Sequence, residues 1–248
     1  MKSLVMPPLA ADRVRQSRSV TLGFSIVLGI LLGVAIVWAG TMWWRSDRPA
    51  QAREVAGGTV DVGFLQHMAQ HHDQAVVMAG IVAGRASPQI TALATQITHN
   101  QLLEVGEMRG WLKMWQRPLL PQTSSMAWMN TGQGQSWTPD QAYARLCSGS
   151  GGMPGMATSA ELNRLRAASG KSLDILFLQL MLRHHLSAIS MARFADRNAE
   201  TPMIASAATL MAREQSEEAA TIRTLLRQAD AEPLPFPEIE IEVTRPPR

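Results

Sequence analysis

The 248-residue chain contains six histidines and fifteen methionines but a single cysteine, Cys147. Four of the histidines form two pairs, His71-His72 and His184-His185. Each pair is preceded by a methionine, Met68 or Met181, and followed by another, Met78 or Met191. Imidazole nitrogen and thioether sulfur are donors for soft or borderline metal ions, Cu(I) foremost, and neither needs a thiolate. Further thioethers occur in Gly152-Met153-Pro154-Gly155-Met156 and in Met126-Ala127-Trp128-Met129. One cysteine makes no intramolecular disulfide and supplies no Cys-x-x-Cys for zinc or redox chemistry. The competing reading is a polar core, in which each histidine bonds a carboxylate from Glu104, Glu107, Glu214, Glu217 or Glu218 and each methionine fills space. Duplication of the His-His pair with its methionines favours metal binding over that alternative. By residue type alone the loop methionines Met126, Met129, Met153 and Met156 are packing residues.

The residues that must position these donors are themselves repeated. Residues 61–79 align without gaps on 174–192, and ten of the nineteen positions are identical. Among them are Asp61/Asp174, Phe64/Phe177, Met68/Met181, His71/His184, His72/His185, Ala75/Ala188 and Met78/Met191. Downstream, Ser87-Pro88 and Thr201-Pro202 each pair an N-cap residue with proline at the first helical position, a strong helix start signal. Ile90/Ile204, Ala94/Ala208, Gln101/Gln215, Glu104/Glu218 and Leu112/Leu226 continue the repeat. Each half is therefore an αα-hairpin, and the pattern predicts helices near 60–84, 88–115, 172–199 and 202–230. Two such hairpins make an all-α four-helix bundle over 59–230, with the long connection 117–171 between the second and third helices. Short helices are expected in that connection after Thr138-Pro139 and after Thr158, where Glu161 completes a capping box.

At about 100° per residue, Phe64, His71 and Met78 share one line and His72 lies about 100° away. Small Ala75 and Ala188 leave room beside the imidazoles. His67 has no counterpart, because Leu180 occupies its position, and His99 is expected at the surface. Asp61 and Asp174 are expected to cap the first and third helices.

Residues 19–44 carry no charge and exceed the length needed to cross a bilayer. Arg13, Arg15 and Arg18 precede them, and Trp38, Trp43 and Trp44 close them, so residues 1–18 are expected in the cytoplasm and the rest outside. A cleaved signal peptide ending near Val37-Trp38-Ala39 is the alternative; the length of the apolar run favours an uncleaved anchor. A linker spans 45–58, and the Pro- and Glu-rich tail 231–248 is expected to be extended or disordered. The net charge of +3 also resolves by position: residues 1–48 carry +4 and the remainder −1. That excludes the basic stripe of a nucleic-acid-binding domain.

The stretch Met153-Pro154-Gly155-Met156, Glu161-Leu162, Leu165, Gly170, Asp174, Phe177-Leu178, Met181, His184-His185, Ala188-Ile189 and Met191-Ala192 resembles the bacterial domain of unknown function 305 family, over about 60–230. The resemblance implies a ferritin-like helical bundle, exported or membrane-anchored, with some members associated with copper binding and copper tolerance. It implies the metal ligands Met68, His71, His72, Met78, Met181, His184, His185 and Met191, with Met153 and Met156 from the loop. This chain departs in having Arg183, where the family often has proline, and Gln70 in the first half; neither removes a donor. It also lacks the abundant extra Met and His of a high-capacity copper store. The resulting expectation is a membrane-tethered copper-binding protein with a buffering or handling role. The alternatives are a di-iron or manganese oxidoreductase using Glu104 and Glu218, and a structural or interaction module without metal. No Glu stands three residues before any histidine, as ferritin-like di-iron sites require, and no nucleophile has a positioned base.

Overall fold

The computed structural model describes residues 29, 31–43, 57–129 and 153–236. It divides into two compact units, Met1–Glu54 and Val55–Arg248. The described part of the first is an apolar helix, α1 (Leu31–Trp43), exposed along its length. Residues 1–18, the rest of 19–44, the linker to residue 56, the short helix expected after Thr138-Pro139 and the tail beyond 236 lie outside the described residues.

The second unit contains α2 (Thr59–Val82), α3 (Pro88–Met114), a 3-10 turn (Ala127–Met129), α4 (Ser159–Ala167), α5 (Gly170–Asn198) and α6 (Pro202–Gln228). Among the described residues there is no strand, and the four long helices match the expected ones to within two residues at every end. Within each repeat the two helices pack together, α2 on α3 and α5 on α6, and α2 packs on α5 to join the repeats. By length and composition α5 is apolar enough to cross a membrane, yet 61% of its most apolar window is buried. Its hydropathy reflects its place in the core.

Helix starts follow the sequence signals only in part. The capping box of α4 is present: Glu161 N–H donates to Thr158 Oγ1 at 3.2 Å and Thr158 N–H to Glu161 Oε2 at 2.8 Å. Ser87 and Thr201 occupy the N-cap positions ahead of Pro88 and Pro202, but neither side chain bonds its own helix. The repeat aspartates serve those turns instead. Buried Asp61 accepts from Gly58 N–H at 3.3 Å, at the start of its own helix. It also accepts from Glu200 N–H at 2.9 Å and from the Thr201 hydroxyl, across in the other hairpin. Asp174 accepts from Ser87 N–H at 3.1 Å, so it anchors the turn of the first hairpin rather than capping α5. Each hairpin thus fastens the other's turn.

The apolar core is split. One cluster draws on Phe64, Leu65, Met68, Val105, Met108, Met191, Phe194, Ile204 and Met211, the other on Met78, Ile90, Ile97, Phe177, Met181, Ile222 and Leu226. Between them, on every long helix, lie buried polar residues: His71 and His72, Gln101, His184 and His185, and Gln215 and Glu218. From the connection, Leu119, Met126, Trp128, Met129, Met153 and Met156 pack on the first cluster. Trp128 wedges between Phe64 and Phe194, with ring centroids 6.3 and 5.7 Å away. Its ring sits so near Gly63 that a Cβ there would come within 2.4 Å of it. Met126 and Met129 are buried beside it, as packing residues. The start of the tail is also held, since Gln179 Nε2 donates to the Glu232 carbonyl at 2.6 Å and Phe236 packs on the first cluster.

Candidate metal centre

The angular offset between neighbouring histidines decides what each one faces. His71 and His184 meet across the seam between the hairpins, ring centroids 3.6 Å apart and planes 31° from parallel. His72 and His185 turn back into their own hairpins. His72 Nε2 bonds Glu104 Oε2 at 2.6 Å and His185 Nε2 bonds Glu218 Oε2 at 2.6 Å. Glu218 is shared, because Asn100 Nδ2 donates to its other oxygen at 3.1 Å. The centroids of His71 and His72 are 6.3 Å apart and those of His184 and His185 6.2 Å. The four rings therefore neighbour one another in the order His72, His71, His184, His185.

These contacts fix tautomers, since a carboxylate or carbonyl oxygen only accepts. His72 and His185 donate Nε2–H to glutamate, and His184 donates Nε2–H to the His71 carbonyl at 3.0 Å. The Nδ1 atoms of all three are buried and without a hydrogen-bond partner among the described residues, as are both nitrogens of His71. Burial, reinforced by the neighbouring histidines, holds His71 and His184 well below the ordinary imidazole pKa. They are neutral at physiological pH, the state in which imidazole ligates a metal. Buried, unpaired polar atoms each cost about 1–3 kcal/mol, and native cores normally avoid them. Gln101 Nε2 and Oε1 and Gln215 Oε1, repeat-related, are unpartnered too.

Of the expected ligands, the four histidines lie together, and Met68, Met78, Met181 and Met191 are fully buried. The thioethers divide, however: Met68 and Met191 belong to one apolar cluster and Met78 and Met181 to the other. Met153 is buried on the first cluster's side and Met156 is partly buried there. The ten residues therefore form no single shell. Among the described residues, no three His, Cys, Asp or Glu side chains are grouped to hold an ion. The sequence reading took Glu104 and Glu218 only as partners in a metal-free core or as ligands of iron or manganese, and it placed Gln101 and Gln215 in the repeat without assigning them to the polar layer. The equal spacing of both pairs in the repeat was the available signal.

The departure at Arg183 has a structural role. Its guanidinium grips Glu161 at 2.9 and 2.8 Å and reaches the Met156 carbonyl at 3.3 Å. That grip and the Thr158 bonds outweigh burial and hold the Glu161 carboxyl at about 2, against an ordinary 4.5. A depressed carboxyl contributes stability that is fully present above its unfolded pKa and lost as pH falls toward the folded value. The stability advantage of wild type over Glu161→Gln is expected to be about 2 kcal/mol at neutral pH. In urea unfolding it should shrink steadily as pH drops below 4.5. A gap that stayed constant would show that this carboxylate is not responsible.

With this geometry in place, the likenesses to known proteins are informative. A family model, Domain of unknown function (DUF305), matches residues 61–226. A crystal structure of a DUF305 protein from Streptomyces coelicolor is similar at 30% identity and a TM-score of 0.61, covering 71% of this chain and 98% of that one. A DUF305 fragment from Deinococcus radiodurans is similar at 26% identity and a TM-score of 0.53, covering 69% and 98%. CopM in its Cu(II)-bound form is similar at 26% identity and a TM-score of 0.51, covering 68% and 96%. No curated protein gives a significant match. The repeated His-His helices, the Met-Pro-Gly-Met turn and the match along both hairpins lead to one conclusion: this chain belongs to the DUF305 family.

Proposed function

We propose that residues 59–230 form a ferritin-like four-helix bundle, held outside the cytoplasm by a membrane anchor at 19–44, that binds copper in a buffering or handling role. The observation that carries this reading is the set of buried imidazole lone pairs in the polar layer, on His71, His72, His184 and His185, without a protein hydrogen-bond partner. Glu104 and Glu218 would steer His72 and His185 and raise their basicity, as carboxylates do behind metal-ligating histidines. Met68 and Met191 on one side and Met78 and Met181 on the other would add thioethers, the donors that favour Cu(I). Met153 and Met156 extend the thioether set to the first cluster's rim. The CopM structure similar to this chain contains Cu(II), which supports the choice of metal.

The test is a Cu(I) competition titration of the full-length protein in detergent. It compares wild type with the variant carrying His71→Ala, His72→Ala, His184→Ala and His185→Ala. Loss of even an outer-shell partner weakens metal sites about 10–100-fold, so the four-histidine variant is expected to bind more than about 100-fold more weakly. Equal affinities would remove the proposed site. The His–Glu pairs favour a second reading, an iron or manganese oxidoreductase, and two irons per chain released by Glu104→Gln and Glu218→Gln would establish it instead. A chain that takes up no metal at all would leave the structural module.

A further inference from the structure

His67, the one histidine of the repeat segment without a counterpart, lines a cavity of about 370 Å3 together with Met153 and Met156. The other residues around it include Gln70, Gln74 and Thr123. We propose that His67, Met153 and Met156 form a second soft-metal site, separate from the histidine layer, that takes a monovalent d10 cation such as Cu(I) or Ag(I) at the surface of the domain. The inference extends the metal-binding reading but rests on its own observations.

The imidazole is prepared as a ligand. His67 is 4% exposed, and its Nδ1–H donates to the Gly63 carbonyl at 2.9 Å. That bond places the lone pair on Nε2, which has no hydrogen-bond partner among the described residues, although the Thr123 carbonyl lies beside the ring. A backbone carbonyl on one imidazole nitrogen is the arrangement that orients the other toward a metal.

The thioethers are prepared too. Met153 and Met156 are the first and fourth residues of a turn closed by Met156 N–H to the Met153 carbonyl at 3.4 Å, with Gly155 at φ +90° in its third position. Pro-Gly at the centre of such a turn restricts it and brings its end residues within about 7 Å of each other. The turn is fastened to the helices beneath. Gln74 holds Ala157 by both amide atoms, at 2.6 and 2.9 Å, and Arg183 holds the Met156 carbonyl at 3.3 Å. Gly155 approaches α5 so closely that a Cβ would come within 2.6 Å of Ser187 and 2.8 Å of the Arg183 carbonyl. Gln74 and Ser187 are repeat equivalents at an offset of 113. The two hairpins thus use the same register position to seat one loop over His67. One imidazole and two thioethers, with no carboxylate among the described residues lining the cavity, suit a soft, singly charged ion and disfavour hard divalent ones.

The experiment follows the 13C-labelled methionine methyl groups of the full-length protein in detergent during titration with Ag(I), which avoids redox side reactions. Three proteins are compared: wild type, the four-histidine variant of the polar layer, and His67→Leu, which installs the residue the second repeat has at that position. Saturable shifts of the Met153 and Met156 methyls are expected in wild type and in the four-histidine variant, and their loss in His67→Leu. Those shifts, with no difference between wild type and the four-histidine variant in Cu(I) affinity, would sustain this site while overturning the layer. Loss of the Met153 and Met156 shifts in the four-histidine variant, with its other methyl signals unchanged from apo wild type, would overturn the separate site. So would shifts that persist unchanged in His67→Leu.

Discussion

Replacing His71 and His184 together with leucine is expected to make the metal-free protein more stable, by about 2 kcal/mol, while weakening its stabilisation by copper. The two rings lie fully buried, face to face, and leave three of their four nitrogens without a partner. Each such atom costs about 1–3 kcal/mol, and replacing buried polar groups with apolar side chains of similar volume is often neutral or stabilising by about 1–4 kcal/mol. Leucine at these positions would join the apolar clusters on either side. The His71 carbonyl, which loses the His184 donor, lies within α2 and keeps its place in the helical ladder. A ligand present at 100 times its dissociation constant stabilises the folded state by about 2.7 kcal/mol. Wild type should therefore gain about that much from Cu(I) bound in the layer, a gain the double variant loses while it keeps any gain from an ion at His67, Met153 and Met156. Urea unfolding with and without Cu(I) measures both quantities. If the metal-free variant instead loses more than about 2 kcal/mol, the stacked pair is a structural element and the functional reading of the layer falls.

The second large effect concerns the aspartates that open each repeat. Asp61→Ala is expected to cost about 3–5 kcal/mol, because three donors lose their acceptor together and each one left unsatisfied costs about 1–3 kcal/mol. It strips acceptors from Gly58 N–H, Glu200 N–H and the Thr201 hydroxyl at once, and Asp61 itself is fully buried. Asp174→Ala removes a single acceptor from Ser87 N–H, half-open to solvent, and is expected to cost about 1 kcal/mol. Asp61→Asn keeps a side-chain oxygen and should recover part of the loss. Urea midpoints of the three variants decide the matter, and equal losses at 61 and 174 would show that burial does not separate the two ties. The expected difference is notable because the two aspartates are aligned in the sequence repeat, which gives no hint that one is buried and the other half-open.

Much of the fold was legible before any coordinates because its determinants are local. Ser87-Pro88 and Thr201-Pro202 mark helix starts whatever surrounds them, and apolar periodicity marks which face turns inward. The capping box at Thr158 and Glu161 needs only residues three apart. The offset of His72 from His71 gives the two different partners: one histidine of each pair faces the other hairpin and one faces its own. Expectations that depended on distant partners fared differently. Asp174 anchors Ser87 instead of capping its own helix. Arg183, noted only as a departure from the family pattern, clamps Glu161 and the Met156 turn.

By itself the sequence determined that the chain makes two like helical hairpins and that each carries a His-His pair between methionines, because helix periodicity and repetition are written in neighbouring residues. Tertiary structure alone decided which imidazole nitrogens are occupied by Glu104, Glu218 and the His71 carbonyl and which remain open. It also decided that the thioethers fall on two sides of the polar layer, and that His67 shares a cavity with a loop more than eighty residues away. A donor's availability is a property of what packs against it, and packing between distant segments is settled only when the chain has folded.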